Sequence, residues 1–519
     1  MSDSSGPKRK LTQSPQKVTC PHCWLEFDPA NALFIATHPE LIGDEVLGEH
    51  HYKRLARIDV MIRESGVTDS YGFPIRDRAC PRCRLQVPRG VLRKGPLFVS
   101  IAGAPSSGKT YYLTSLVHTL RKQLPQEFNL LLEYATSDEV ERIEKLVSRL
   151  FHSQPEDPVY LDKTLESGGS VNNVINLGGQ PVELPKPFLF SIRPTPSHLD
   201  FQKLHSRLHQ TLALYDCSGE HFQYGRHRNT SNRSFGHFAK SNAVLFVYDP
   251  LQDTPALSRL ASLSKDPQLH SQKHVSQQEK TLEAVVHQLR ILKHLTPEAR
   301  IKAPLLVVVQ KYDVWCQLLP NWAQLGATSI VKFPSEGSSG VNVEQLNRSS
   351  LHIRKFLFDI SPMFVSQAEA NFETVRYFAV SALGTSPLAM NMDVSDEYES
   401  KTETRLCIRP RDIQPFRVTD PILWLLAKWK LIRLAESTIK DRKSVPRATV
   451  IEGSDESFHV VLPDSGQRIT LDNQYAESFI SDPYTGAEVW IPRRGVQSER
   501  PRGFSGLLSG LSRLLRRDN

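Results

Sequence analysis

The chain has 519 residues, which at roughly 150 residues per domain suggests three or four structural units. Its composition, with 39% hydrophobic and 23% charged residues, is ordinary for a globular protein and excludes wholesale disorder, a coiled coil and collagen. A net charge of +8 spread over this length does not by itself indicate a nucleic-acid-binding protein.

The first segment, residues 1–17, is polar and is expected to form a disordered tail. It lacks the apolar stretch of a signal peptide, and no apolar run in the chain reaches the roughly 18 residues needed to cross a bilayer. We therefore expect a cytoplasmic protein. The cysteine count of 7, an odd number in a large chain, does not indicate a disulfide framework.

Two short C-P-x-C motifs lie in the next segment, residues 18–94. The motifs are framed by Cys20, Cys23, Cys80 and Cys83. Two residues between the thiols allow both sulfurs to reach one ion, and two such turns complete a tetrahedral site with Zn–S distances of about 2.3 Å. Because four thiolates leave no open coordination position, the pattern predicts a structural zinc ribbon. The alternative is two unrelated pairs of surface cysteines.

The stretch between the motifs is 56 residues long, which is more than a simple ribbon contains. The apolar periodicity of residues 50–64 predicts that this stretch includes a helical insertion. His22, between two ligands, is expected to face solvent. Residues 1–96 hold 15 basic and 11 acidic side chains, a balance that favours a docking module over a DNA-binding surface.

Residues 97–110 carry the most specific motif of the chain. The apolar run 97–102 predicts a strand, and it is followed by the pattern G-x-x-x-x-G-K-T and then by an amphipathic helical pattern. In such a loop the backbone N–H groups close around phosphates at the positive end of a helix. The predicted nucleotide-binding residues are Gly103, Ser106, Ser107, Gly108, Lys109 and Thr110. Lys109 is expected to reach the β and γ phosphates, and Thr110 to bind Mg²⁺.

A D-x-x-G motif follows another strand-like run, residues 211–215. Asp216, an acidic residue at the end of a strand, suits a place beside Mg²⁺. Gly219 can bring its N–H to a γ-phosphate, which makes the motif a sensor of the nucleotide state.

Two later elements predict recognition of the base. Gln310, Lys311 and Asp313 follow a buried run and resemble the N-K-x-D element of GTPases. In that element the carboxylate accepts two hydrogen bonds from guanine, which adenine cannot offer. Ser381 and Ala382 are similar to the S-A-K element, whose backbone N–H reads the guanine oxygen. The departures are glutamine in place of asparagine at the first element and leucine in place of lysine at the second.

The order of these elements resembles that of Ras-like, TRAFAC-class P-loop GTPases over residues 95–437. With an N-terminal zinc ribbon, the chain is most similar to the bacterial double-GTPase family of the second type. The resemblance implies an α/β domain with a mostly parallel central sheet that binds GTP or GDP with Mg²⁺. It also implies slow or partner-stimulated GTP hydrolysis in a bacterial signalling or conflict system. Protein partners are expected at the switch loops and the zinc ribbon.

The same resemblance points to residues for catalysis. Glu220 stands where Ras-like proteins orient the attacking water with glutamine, and His221 follows it. Thr164 is the candidate for the switch I threonine, with Ser170 as a second choice. Two rival functions stay open at this point: a nucleotide-binding scaffold without turnover, motivated by Glu220, and an ATPase that acts on nucleic acid through the zinc module, motivated by Gln310.

The C-terminal part divides into two segments. Residues 438–492 alternate short apolar and polar runs and predict a small β-rich region. Residues 493–519 carry 7 arginines against 2 acidic residues and predict a basic linker followed by an amphipathic helix. Such a helix docks peripherally on the inner face of a membrane or in a partner's groove. The alternative is that it packs on its own GTPase core.

Overall fold

The computed structural model describes residues 17–161, 172–198, 201–202, 209–216, 235–270, 278–319, 331–332, 339–396, 399–434, 447–451, 457–463, 465–472, 478–481 and 488–492. The chain divides into two compact units, residues 1–341 with 353–435 and residues 342–352 with 436–519. Within the described residues, every helix is too short or too polar to cross a membrane.

The N-terminal part of the first unit is built from short strands around the four cysteines. These elements are β1 (Val18–Thr19), β2 (Glu26–Phe27), β3 (Leu33–Ile35), β4 (Ile42–Asp44), β5 (Gly48–Tyr52), β6 (Arg54–Leu55), β7 (Met61–Arg63), β8 (Gly66–Thr68), β9 (Pro74–Ile75), β10 (Arg78–Ala79), β11 (Gln86–Val87) and the short helix α1 (Arg89–Lys94). Each cysteine pair lies in the turn between two antiparallel strands, β1–β2 for the first pair and β10–β11 for the second.

The helix predicted over residues 50–64 is wrong. This stretch instead contains β5, β6, β7 and a 3₁₀ turn at Arg57–Asp59. The reason is tertiary, because a helix needs a partner for its apolar face. Ile58 is 91% exposed and Ile62 is 53% exposed, so the apolar positions of the pattern have no core to cover. Antiparallel pairing, such as Phe34 with Leu55, satisfies the backbone instead.

The remaining strands of the first unit include the seven strands of the central sheet. They are β12 (Pro96–Gly103), β13 (Leu130–Tyr134), β14 (Asn172–Leu177), β15 (Gln180–Pro185), β16 (Phe188–Pro194), β17 (Gln210–Asp216), β18 (Ala243–Tyr248), β19 (Leu305–Val309), β20 (Val331–Lys332), β21 (Gly340–Val341), β22 (Val375–Ala379), β23 (Leu388–Asp396) and β24 (Glu399–Cys407). The central sheet has seven strands in the order β13-β16-β17-β12-β18-β19-β22.

The prediction of a mixed α/β fold with a mostly parallel sheet is confirmed. The pairs β17–β12, β12–β18, β18–β19 and β19–β22 are parallel, whereas β13–β16 and β16–β17 are antiparallel. Strands buried on both faces read as continuous apolar runs, which is why β18 and β19 are fully buried. The carboxyl ends of the parallel strands meet at one edge, where loops can form a site.

Nine further α-helices lie in the described residues. They are α2 (Lys109–Phe128), α3 (Ser137–Phe151), α4 (Gly236–Lys240), α5 (Thr254–Leu260), α6 (Gln278–Leu292), α7 (Tyr312–Trp315), α8 (Val343–Ile360), α9 (Pro362–Asn371) and α10 (Asp420–Lys428). Helix α2 packs on β12, β13 and β17, while α4 and α6 pack on β12. A large apolar core includes residues of β18, β19 and β22, together with Trp315 and Phe364.

A hairpin, β14–β15, packs against the four-cysteine module. Gly178 and Gly179 form its turn, both with positive φ. Its apolar side chains Ile175, Val182 and Leu184 belong to the same buried cluster as the cysteines. The module is therefore covered by a segment that the sequence places inside the P-loop domain.

The apolar pattern of residues 420–435 is compatible with a longer helix than the structure contains. Helix α10 ends at Lys428, and Lys430 has a left-handed φ of +60° that the helix cannot continue through. Its apolar residues are nonetheless buried, including Ile422, Leu423 and Leu426.

The second unit contains the C-terminal strands. They are β25 (Thr449–Ile451), β26 (Ser457–Val461), β27 (Arg468–Asp472), β28 (Ser478–Ser481) and β29 (Glu488–Ile491). Antiparallel pairs join β25–β26–β27 and β28–β29. Phe458, Val460, Ile480 and Val489 form its small core, against which Leu351 packs.

Candidate nucleotide site and four-cysteine cluster

The loop between β12 and α2 depends on glycine at both ends. Gly103 has φ of +152°, and a Cβ there would lie 2.4 Å from the carbonyl oxygen of Val247 in β18. Gly108 has φ of +85° directly before α2 begins. Between them, Ser106 is exposed and has φ of +58°. This left-handed conformation costs energy for any residue other than glycine. The backbone of the loop thus approaches β18 closely at Gly103 and adopts an uncommon conformation.

Lys109 is folded over the loop that precedes it. Its Nζ donates hydrogen bonds to the carbonyl oxygens of Gly103 at 3.1 Å and Ala104 at 2.8 Å. The side chain is buried, with 9% of the residue exposed. The ammonium group is therefore placed at the mouth of the loop, where the sequence predicts the β and γ phosphates.

Two buried oxygens of this region have no hydrogen-bond partner within the described residues. They are Ser107 Oγ and Asp216 Oδ1. Burial raises the pKa of Asp216, and the charges of Lys109 and Arg142 oppose that rise. Burying a carboxylate oxygen without a partner costs free energy unless a ligand or an ion binds to that oxygen. The unpaired oxygen of Asp216 is therefore compatible with the predicted Mg²⁺ ion. Thr110, the other predicted magnesium residue, is half-buried at the second position of α2.

The predicted base-recognition residues come together after β19 and β22. Burial raises the pKa of Asp313, and a hydrogen bond with Ser381 opposes that rise by favouring the carboxylate. Ser381 is fixed in turn, because its N–H donates to the carbonyl of Phe416 at 3.0 Å. Ala382 accepts a 2.8 Å hydrogen bond from Ser115 Oγ, which ties this loop to α2.

Gln310, which replaces asparagine in the N-K-x-D pattern, is 2% exposed. Its backbone braces the loop: the N–H donates to the carbonyl of Tyr248 at 2.8 Å, and its carbonyl accepts from Trp315 Nε1 at 2.6 Å. Its Nε2 is buried without a hydrogen-bond partner in the described part of the chain. Backbone contacts and a tryptophan thus do the bracing that the pattern assigns to an asparagine side chain.

Sequence reasoning missed two residues of the loop after β18. Asp249 is 1% exposed and forms an ion pair with Lys311 Nζ at 2.5 Å, and Gln268 also accepts from that ammonium at 2.8 Å. Gln252 is 1% exposed and donates from Nε2 to the carbonyl of Pro105 at 3.0 Å. The loop therefore links the P-loop motif to Lys311, the lysine predicted to take part in base recognition. The available signal was two polar residues directly after a buried strand of a parallel sheet.

Other predicted residues lie outside the described residues. They are Thr164, Ser170, Gly219, Glu220 and His221, together with the amphipathic segment 493–519 and residues 1–16.

The four predicted zinc ligands form one buried cluster. Cys20, Cys23, Cys80 and Cys83 place their sulfur atoms within 4.8 Å of one another. Cys20 and Cys83 Sγ are 3.7 Å apart, and Cys23 and Cys80 Sγ are 3.6 Å apart. A tetrahedron with Zn–S bonds of about 2.3 Å has edges of about 3.8 Å. The donor set and its spacing fit zinc.

Backbone N–H groups support the cluster from both turns. His22 N lies 3.4 Å from Cys20 Sγ, and Arg82 N lies 3.4 Å from Cys80 Sγ. The expectation that His22 faces solvent is wrong, since it is only 6% exposed. Its Nε2 lies 2.9 Å from the carbonyl oxygen of Gln86, so the ring joins the first turn to the strand after the second.

Comparisons with known proteins give distant similarities. No family model matches the chain. The chain is similar to the putative ESX-1 scaffolding and assembly protein SaeC of Mycolicibacterium smegmatis (strain ATCC 700084 / mc(2)155), with 23% identity over 357 residues, 67% of this chain and 78% of that protein. It also aligns with the GTP-bound Ski7 GTPase-like domain of S. cerevisiae at 12% identity and a TM-score of 0.20. That alignment covers 75% of this chain and 60% of the Ski7 chain, and a likeness of this size carries no argument.

Proposed function

We propose that the protein is a guanine-nucleotide-binding P-loop switch with Mg²⁺-dependent GTP hydrolysis. Lys109 holds the β and γ phosphates, Thr110 and Asp216 hold Mg²⁺, and Asp313 selects guanine. The four-cysteine cluster holds structural zinc and makes the N-terminal module a docking element for protein partners. Within the GTPases, a place in the zinc-ribbon-linked double-GTPase family is part of this proposal.

The observation that supports the proposal best is the meeting of three motifs at one edge of the sheet. β12 ends in the P-loop, the adjacent β17 ends at Asp216, and β19 ends two strands away, just before Gln310. Asp313, which follows β19, and Ser381, which follows β22, are joined by a hydrogen bond. Along the sheet, the metal residue after β17, the phosphate loop after β12 and the base residues after β19 thus follow one another, which is the order that a Mg²⁺-bound nucleoside triphosphate requires.

Titration of the purified protein with fluorescent GTP, ATP, GDP and ADP tests the proposal. Guanine nucleotides are expected to bind at least about tenfold tighter than adenine nucleotides, a difference of about 1.4 kcal/mol. Equal affinity for ATP would contradict base selection by Asp313 and would favour the ATPase alternative.

Substituting Asp313→Asn is expected to weaken GTP binding by roughly 10- to 100-fold, because a hydrogen bond to a charged group contributes about 1.5–3 kcal/mol. A carboxamide accepts from one guanine donor but repels the other. Xanthine carries an oxygen in place of that second donor, so XTP affinity is expected to rise. Both affinities are measured by titration. Asp359→Asn, an exposed change on α8, is the matched control and should alter neither.

A second candidate is a nucleotide-binding scaffold that does not turn over. It is favoured by the similarity to a protein described as a scaffolding and assembly protein. Glutamate at position 220 supports it as well, since a carboxylate beside three phosphates does not orient water well. Single-turnover phosphate release separates the two candidates: a scaffold binds GTP and releases no phosphate over hours.

The C-terminal segment is proposed as a peripheral anchor. Each arginine near an anionic leaflet contributes about 1 kcal/mol, and the effect is screened by salt. Deleting residues 503–519 is expected to abolish sedimentation with anionic vesicles at low salt while leaving nucleotide affinity and zinc content unchanged. If the deletion lowers thermal stability and nucleotide affinity together, the segment belongs to the folded core.

A further inference from the structure

The first zinc knuckle, residues 20–24, packs on the strand that ends at Asp216. Trp24 has φ of +60°, and its Nε1 donates a 3.1 Å hydrogen bond to the hydroxyl of Tyr215. That hydroxyl donates in turn to the carbonyl oxygen of Pro21. Tyr215, the residue before Asp216, is thus held at its tip by two groups of the knuckle.

The same knuckle contacts α4, the first described helix after Asp216. A Cβ on Gly236 would lie 2.4 Å from Cε3 of Trp24, so the tryptophan ring lies directly on the helix backbone. His237 stacks on Tyr215 with ring centroids 4.5 Å apart and 9° between the planes. It is fully buried, and its Nδ1 lies 2.7 Å from the hydroxyl of Ser100 in β12. These contacts join the knuckle to the strands that carry the D-x-x-G motif and the P-loop.

The alternation of side chains along β17 gives the two neighbouring residues different surroundings. Tyr215 lies in an apolar cluster that Trp24 covers. Asp216 projects to the opposite face of the strand. Because the two residues are consecutive in β17, a shift of Tyr215 toward or away from the knuckle also moves the carboxylate of Asp216.

We propose that the zinc knuckle is a positioning element of the nucleotide site, so that zinc in the four-cysteine cluster and a Mg²⁺-nucleotide at Asp216 strengthen each other's binding. The inference rests on the proposed function, since it takes Asp216 as part of that site. The knuckle keeps its shape through its zinc, and Trp24 contacts both Tyr215, next to Asp216, and Gly236 in α4. Coupling between two binding equilibria is reciprocal, so it can be measured from the zinc side.

The test is the zinc affinity of the full chain, measured by competition with a chelator of known affinity, with and without saturating Mg²⁺-GDP. In the wild type the nucleotide is expected to raise zinc affinity at least about fivefold, the lower end of typical couplings. Tyr215→Phe keeps the ring stacked on His237 but removes the hydroxyl between Trp24 and Pro21, and it should lose most of this effect. Tyr134→Phe is the matched control, because that hydroxyl bonds Glu144 away from the knuckle; it should keep the full effect.

Three outcomes overturn the proposal, and they are distinguishable. If the wild type binds Mg²⁺-GDP but its zinc affinity does not change, the coupling is wrong and the proposed function stands. If the wild type binds no nucleotide, both fail. If Tyr215→Phe keeps the full effect, the coupling does not run through this contact. Should Tyr215→Phe not fold, Trp24→Phe serves instead, since it keeps a ring over Gly236 and removes the Nε1 donor.

Discussion

Lys109→Ala is expected to weaken binding of both GTP and GDP by at least about 100-fold, equal to about 2.7 kcal/mol. The buried ammonium already occupies the mouth of the P-loop, where it donates to Gly103 and Ala104 at 3.1 and 2.8 Å. Phosphate oxygens offer it charged acceptors, and a charged hydrogen bond is about twice as strong as a neutral one. Alanine removes this interaction and leaves the phosphates to the backbone N–H groups alone.

Fluorescent-nucleotide titration measures the effect, and Lys122→Ala is the matched control. Lys122 lies on the same helix, is exposed, and contacts His118 rather than the loop. This substitution removes an equal charge from α2 without touching the candidate site. If Lys109→Ala binds GTP as tightly as the wild type does, the phosphate site lies elsewhere and the proposed function fails.

The middle of the central sheet could be predicted because β18 and β19 are buried on both faces. Residues 243–248 and 305–309 read as unbroken apolar runs, and the structure gives strands with these bounds. The P-loop strand was equally legible, since glycine, lysine and threonine follow it at fixed positions. Local chemistry decides these elements, so a single sequence contains the information.

The misjudged parts depend on distant contacts. The periodicity of residues 50–64 is compatible with a helix, yet Ile58 and Ile62 are exposed in the fold. The segment forms strands instead, one of which pairs with β3. His22 is buried because Gln86, 64 positions away, supplies a carbonyl. The pattern within one segment does not indicate which distant residues that segment will contact.

The same limit explains the residues of the site that were missed. Asp249 and Gln252 follow a buried strand, a position that is informative, but their roles depend on Lys311 and Pro105 in other loops. The seating of Trp24 on Tyr215 joins residues 191 positions apart. Motif spacing predicts the elements of a site, whereas the connections between elements require the folded chain.

Cys80→Ser is expected to abolish stoichiometric zinc and to destabilise the N-terminal module by several kcal/mol. Structural zinc contributes apparent free energies of about 10–16 kcal/mol in small peptides, which is an upper bound here. The cysteines lie inside an apolar cluster with Val18, Phe27 and Val87 of the module and Val182 of the hairpin β14–β15. Losing the ion therefore leaves buried thiols in this cluster and removes the bonds that would join the two cysteine turns to each other.

Elemental analysis and thermal unfolding of protein purified without chelator give the two readouts. The wild type should hold one zinc per chain, and the variant should hold less than a stoichiometric amount and unfold at a lower temperature. Cys407→Ser is the matched control, because it changes a buried cysteine outside the cluster and should retain zinc. A wild type without zinc would show that the four thiols are only a reduced core cluster. Retention of zinc by Cys80→Ser would show instead that three thiolates are enough, leaving the fourth coordination position open to a ligand.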